Sequence, residues 1–265
     1  MKPLRRHFKR WLYSSCPGYK GVFPYFGEQI HFPPGSLMFE LAMNEGIFEP
    51  GNLKLLQAAL RPGSWAFDVG ANIGLMSAPL LHTEPTLHVV SIEASPRTAG
   101  FLARTIAASP NRHRWTLVPK ALGAAEGEIE FFAATGSDGI FDGLKDTGRS
   151  RGAAKVRVSL TTLDAVWRDA GRPAVCLVKI DVEGAETEVL QGGRECLRTT
   201  RPIVLLEWNR LNLAAYGRSP EQLLTLAAEL NCDLLNAPGL APVTTPASLL
   251  FQTGVSETFL LVPRA

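Results

Sequence analysis

Residues 64–74 read SWAFDVGANIG, a short apolar run that closes on a glycine-rich turn, and the next seven residues, LMSAPLL, read as the opening of a helix. A strand that passes through a glycine loop into a helix is the junction at which open α/β sheets bind nucleotides. In that loop Gly70 lets the backbone approach a ligand closely, Asn72 tolerates a tight turn and offers an amide, and Gly74 lets the helix pack on the strand. Ala71 lies between the first two, and the unpaired N–H groups of the following helix face the crevice.

Outward from this loop, short apolar runs alternate with helical stretches, the pattern of an α/β fold with a mainly parallel sheet. Strands are expected near 64–69, 87–92, 115–119, 175–180 and 202–207, each apolar nearly throughout, as in strands covered on both faces. Ser95 and Pro96 predict the start of one helix; Ser219, Pro220 and Gln222 predict another before LLTLAAEL. CDLLN at 232–236 and ETFLLVP at 257–263 can pair as an antiparallel end of the sheet. EIEFFAA and KVRVSL read as strands of an insertion over about 123–160, and the glycine-rich segment at 136–148 between them reads either as a lid or as a surface loop. Residues 1–60, helical and turn-rich, read as an N-terminal cap on a domain spanning 61–265.

Composition narrows the class. Of 265 residues, 46% are apolar and 20% charged, with 24 Gly, 19 Pro and a formal charge of +2, which excludes disorder, collagen and a coiled coil. Cys16, Cys176, Cys196 and Cys232 are widely spaced and form no CxxC pair, so a reduced, cytoplasmic setting is expected. The uncharged stretch 234–256 is broken by Pro238, Pro242 and Pro246 and reads as a surface-hugging loop rather than a membrane span. Six basic residues (Lys2, Arg5, Arg6, Lys9, Arg10 and Lys20) precede the first acid, Glu28, and leave the remainder at −4. With Leu4, Phe8, Trp11 and Leu12 interleaved, this arm reads as a solvated helix packed by one edge or as a peripheral contact with an anionic membrane over residues 1–20; nucleic acid fits less well, because the domain behind the arm is net acidic.

The ligand follows from spacing. A dinucleotide fingerprint would read GxGxxG, but here the second glycine is Asn72 and the third falls one place early, at Gly74. No GK[ST] follows, which excludes a P-loop. Asp68, two residues before Gly70, would repel a pyrophosphate and attract a cation. Glu93 ends the next strand 23 residues after Gly70, close to the offset of roughly 20 at which a carboxylate grips ribose hydroxyls. S-adenosylmethionine (SAM), with a ribose, a sulfonium, an ammonium and no phosphate, suits both acids.

A second cluster lies in VKIDVEGAE at 178–186. Lys179 and Asp181 share strand parity, so both point into the crevice if either does; they form a candidate pair in which the carboxylate acts as base or orients the acceptor and the ammonium is its charge partner. Glu183 and Glu186 read either as site acids or as first-turn acids of the next helix. Glu207 and Asn209 end the following strand at the same edge, and Glu207 is the candidate for touching the acceptor. Asp181, Glu207 and Asn209 offer oxygen ligands suited to Mg²⁺, so the use of a metal stays open. His31, His82, His88 and His113 are scattered and form no tighter metal site, and no hydrolase triad is recognisable.

These stretches, with SIEASP at 91–96, PKALG at 119–123 and TLD at 162–164, fall in the order seen in FkbM-type methyltransferases, and the chain resembles that family over about residues 44–210. The resemblance implies a Rossmann-like class I methyltransferase fold, α/β with a seven-stranded, mostly parallel sheet, an antiparallel last strand and helices on both faces. It implies SAM as methyl donor and transfer to a hydroxyl oxygen of a small metabolite or sugar. By position it assigns Asp68, Gly70, Ala71, Asn72 and Gly74 to the methionine side of SAM and Glu93 to the ribose, with Ala94, Ser95 and the stretch Lys120 to Leu122, Ala121 included, near the adenine. An NAD-dependent oxidoreductase and a non-catalytic SAM-binding protein stay open as alternatives.

Overall fold

The computed structural model describes residues 3–16, 18–134, 142–145 and 153–264. The chain begins with helix α1 (Pro3–Ser15), a hairpin of β1 (Val22–Tyr25) and β2 (Glu28–His31), and helices α2 (Leu37–Glu45) and α3 (Pro50–Ala58). The hairpin departs from the helical reading of residues 1–60. Pro24 lies within a strand, and its turn places Phe26 and Gly27 at φ 48° and 83°. Turns of that hand are normally signalled by Asn-Gly or Asp-Gly, and proline argues against a strand unless, as here, it is at an edge.

The alternating region follows as β3 (Trp65–Val69), α4 (Ser77–Thr83), β4 (His88–Ile92), α5 (Pro96–Ala108) and β5 (Trp115–Val118). An insertion then brings β6 (Ala121–Leu122), β7 (Gly127–Ala134) and β8 (Ala153–Thr161), which form their own three-stranded sheet. The second half runs through α6 (Leu163–Asp169), β9 (Val175–Ile180), α7 (Glu186–Gly192), α8 (Arg194–Thr200) and β10 (Ile203–Glu207). It ends with α9 (Arg210–Ala215), α10 (Gln222–Glu229), β11 (Cys232–Asn236), α11 (Pro246–Gln252) and β12 (Thr258–Pro263).

The main sheet has seven strands in the order β11-β12-β10-β9-β3-β4-β5, and only β12, the last in the chain, runs against its neighbours β10 and β11. This is the mostly parallel sheet with a reversed last strand that the resemblance implies. Strand order switches direction between β3 and β9, so the crevice opens at their carboxyl ends. Phe67, Val69, Val178, Ile180 and Val204 pack into the core on one face. Ala66, Val89, Leu177 and Leu205 pack on the other, where Phe23, Ile30 and Phe39 of the N-terminal segment join Leu80, Leu102 and Trp115 in one continuous core.

Several local expectations are corrected. Helix α4 starts at Ser77, leaving Leu75 and Met76 in the turn. Ser95 is the N-cap of α5 but makes no side-chain cap bond, and Glu221 rather than Ser219 caps α10. The stretch read as a surface loop at 234–256 contains α11, whose capping box pairs Thr245 with Ser248. Most of the segment at 136–148 lies outside the described residues; Asp142 to Lys145 are within them.

Candidate active site

The turns after β3 and β9 are locked together by their backbones. The Asp181 N–H donates to the Val69 carbonyl at 3.1 Å. A Cβ at Gly70, where φ is +75°, would sit 1.8 Å from the Asp181 carbonyl oxygen. Only glycine fits there. Gly74, at φ +92°, does the equivalent behind the loop, where a Cβ would come within 3.0 Å of Leu102 and Trp115. The close approach of the two turns leaves a cavity of about 250 Å³ beside them.

Gly70, Ala71, Asn72, Glu93, Ala94, Ala121, Lys179, Asp181 and Glu207 all line that cavity. Glu93 is buried, and its two carboxylate oxygens accept N–H bonds from Asn72 at 2.9 Å and Ser95 at 2.8 Å. It thereby fastens the glycine loop to the next loop. Burial pushes its carboxyl up to about 7 against the opposing pull of those two amides. Ser95 itself is buried at the head of α5 and supplies that amide rather than a cavity wall.

Asp68 stands elsewhere than expected. It is 1% exposed and lies beneath the loop, not on the cavity wall, because it pairs with Lys179 across the β3–β9 register. Its Oδ2 accepts a bond from Ser77 Oγ at 2.6 Å, and Ser77 contacts Ser91 Oγ at 2.7 Å, which in turn accepts from Trp115 Nε1 at 2.8 Å. Lys179 connects this buried chain to the cavity. Its Nζ donates to the Gly70 carbonyl at 3.1 Å and to Asp181 Oδ2 at 3.2 Å, and lies 3.7 Å from Asp68 Oδ1. Burial pulls the ammonium down, but Asp181, Asp68 and Glu49 together raise it above the ordinary lysine value, so it stays charged.

On the far wall Asp181, Glu183 and Glu207 each bring one carboxylate oxygen within 4.8 Å of the others. Burial, then the neighbouring Asp181 and Glu183, raise the Glu207 carboxyl well above its usual range. An all-oxygen set of this kind suits Mg²⁺ better than zinc. Its third member is Glu183, not Asn209: the Asn209 Oδ1 caps α9 and its amide donates to Glu257 at 2.6 Å. Glu183 accepts from Asn212 Nδ2 at 2.8 Å. Glu186 turns inward to accept the N–H groups of Val182 and Gly184, and burial pushes it up to about 7; it braces the turn and does not line the cavity.

Sequence reasoning missed Glu49 and Asp142 on the wall. Glu49, the N-cap of α3 at φ 42°, is aligned by Asn52 Nδ2 at 3.0 Å, and burial raises its carboxyl. Met38, Leu41 and Phe48 add apolar surface from the same segment, and Leu144 adds it from the insertion. Among the described residues, none after 207 lines the cavity.

Residues 68–231 match the model of the methyltransferase FkbM domain, from Asp68 beneath the loop through Asp181 and Glu207. The 2-O-methyltransferase NoeI of Sinorhizobium fredii is 26% identical over 174 residues, 59% of this chain and 70% of that protein. The 31-O-demethyl-FK506 methyltransferase FkbM of Streptomyces tacrolimicus is 30% identical over 162 residues, 50% of this chain and 60% of its own length. A solved structure of methyltransferase FkbM from Methylobacillus flagellatus KT aligns with a TM-score of 0.46 at 14% identity, over 79% of this chain and 50% of that one. The chain belongs to the FkbM methyltransferase family.

Proposed function

We propose that the protein is a SAM-dependent O-methyltransferase acting on a hydroxyl group of a small metabolite or sugar. The observation that carries this reading is the opening of Glu93, the Gly70–Asn72 loop and the Lys179–Asp181 pair onto one cavity at the switch point of the sheet. The donor set fits SAM. Glu93 is placed for ribose hydroxyls, the loop for the methionine portion, and Ala94 and Ala121 for the adenine side. The surrounding carboxylates Glu49, Asp142, Asp181 and Glu183 favour a cationic ligand over a diphosphate, which counts against a nicotinamide cofactor.

Bound SAM supplies a methyl group on a sulfonium, already activated for displacement by an oxygen nucleophile. The protein's share is then chiefly to hold the reactants in line and keep water out, an effect that can supply about 7–11 kcal/mol. Asp181 orients the acceptor hydroxyl and takes its proton as the oxygen–carbon bond forms. Lys179 is the charge partner of Asp181 in that task, and the upward shift of the neighbouring Glu207 carboxyl favours its protonated form and makes it the weaker base. Met38, Leu41 and Phe48 form the apolar side of the acceptor space.

Calorimetric titration with SAM and with NADH tests the cofactor, and transfer of labelled methyl from SAM to a panel of polyols and sugars tests the reaction. SAM binding with methylated product is expected; NADH binding without SAM binding, or SAM binding with no transfer to any hydroxyl compound, would overturn it.

A further inference from the structure

Helix α1 is oriented the opposite way from an ordinary surface helix. It is attached to the body by Arg10, which forms an ion pair with Glu40 of α2, and by Tyr13, whose ring lies 6.4 Å from that of Phe23. On the opposite side Phe8 and Trp11 are 58% and 55% exposed, their ring centroids 5.9 Å apart. A third exposed aromatic, Tyr19 at 55%, follows beside Lys20. Two adjacent large rings facing water on one stripe, within a segment this basic, call for an apolar partner that carries negative charge.

We propose that α1 is an interfacial helix that seats the protein on an anionic lipid bilayer, with Phe8 and Trp11 inserted among the acyl chains. Charge complementarity selects this occupant. All six bases that precede the first acid belong to this segment or follow it directly, whereas the rest of the chain is −4 and is repelled by an anionic surface, so attachment is confined to this edge. The combination of low overall hydrophobicity, a basic sequence and adjacent exposed Phe and Trp rings is that of helices lying in the headgroup plane. Nucleic acid is disfavoured because Phe8 and Trp11 are tilted at 38° to each other rather than spread as a stacking platform.

Flotation of the full chain with vesicles tests this. Binding to vesicles containing phosphatidylglycerol, loss in high salt, and at least about tenfold weaker binding to pure phosphatidylcholine are expected. Phe8→Ser/Trp11→Ser should weaken binding by about tenfold or more, as should Lys9→Glu/Lys20→Glu, with SAM affinity unchanged in both. Should a variant misfold, quenching of Trp11 in the wild-type protein by brominated lipid, with Trp11→Phe to subtract the other four tryptophans, reads insertion directly. Absence of vesicle binding, unweakened binding by both variants, no quenching, or instead a dimer or an RNA complex that the Phe8/Trp11 variant abolishes would overturn the proposal.

Discussion

Replacing Gly70 with alanine tests whether the two motifs really meet. At φ +75° a side chain costs about 1 kcal/mol from backbone strain alone. The larger effect is steric, since the new Cβ would lie 1.8 Å from the Asp181 carbonyl oxygen and 2.9 Å from its carbon. The turns must separate by about 1 Å or more before ordinary contact distances return. That movement stretches the Asp181–Val69 backbone bond at 3.1 Å and the two Lys179 bonds at 3.1 and 3.2 Å. A neutral bond is worth about 1 kcal/mol and a charged one about 1.5–3 kcal/mol, so backbone strain with loss of all three bonds is expected to total about 5–8 kcal/mol. Gly46→Ala is the matched control, because Gly46 has φ +82° with nothing within 4 Å of its absent Cβ and so pays the backbone term alone. Urea denaturation should show a loss of about 1 kcal/mol for Gly46→Ala and about 5–8 kcal/mol for Gly70→Ala, and calorimetry should show SAM affinity weakened by at least about tenfold only in the latter. Equal stabilities with unchanged SAM affinity would refute the reasoning.

Asp181→Asn should lower turnover by about 100-fold or more while leaving SAM affinity within a few-fold, as single-turnover rates and calorimetry would show; wild-type turnover would remove Asp181 as base. Lys179→Met leaves Asp68 and Asp181 facing each other without their cation and should cost about 3–5 kcal/mol at pH 7, partly recovered in acid where carboxylates protonate. An unchanged urea midpoint would contradict the charge assignment. Glu93 provides a pH test. Its proton stabilises the unliganded fold fully below the ordinary value of 4.5, and that contribution is lost as pH rises through about 7. Ribose hydroxyls favour the ionised form, so SAM affinity should rise with pH through about 7 with proton release, and Glu93→Gln should flatten the profile. Proton uptake on binding would contradict it.

What was legible in the sequence follows what local pattern encodes. Strands covered on both faces give apolar runs, and β3, β4, β9 and β10 were found within a residue or so at each end. Glu93, Lys179 and Asp181 line the cavity because the carboxyl ends of such strands emerge at one edge. Asp68, two residues before the glycine, is still inside the sheet and off the cavity wall, opposite Lys179 in a register that one strand alone does not reveal. Glu49 reaches the cavity from 132 residues before Asp181 in the chain, through an N-cap at positive φ, and no local signal marks either feature. Asp142 is likewise placed by the pairing of Gly143 with Phe132 across the insertion.

The most direct test is a crystal structure with S-adenosylhomocysteine bound. The ribose hydroxyls should lie on the Glu93 carboxylate, the homocysteine along Gly70–Asn72, and the sulfur should face Asp181. A nucleoside bound away from this cavity, with Glu93 held only by the Asn72 and Ser95 amides, would contradict the account.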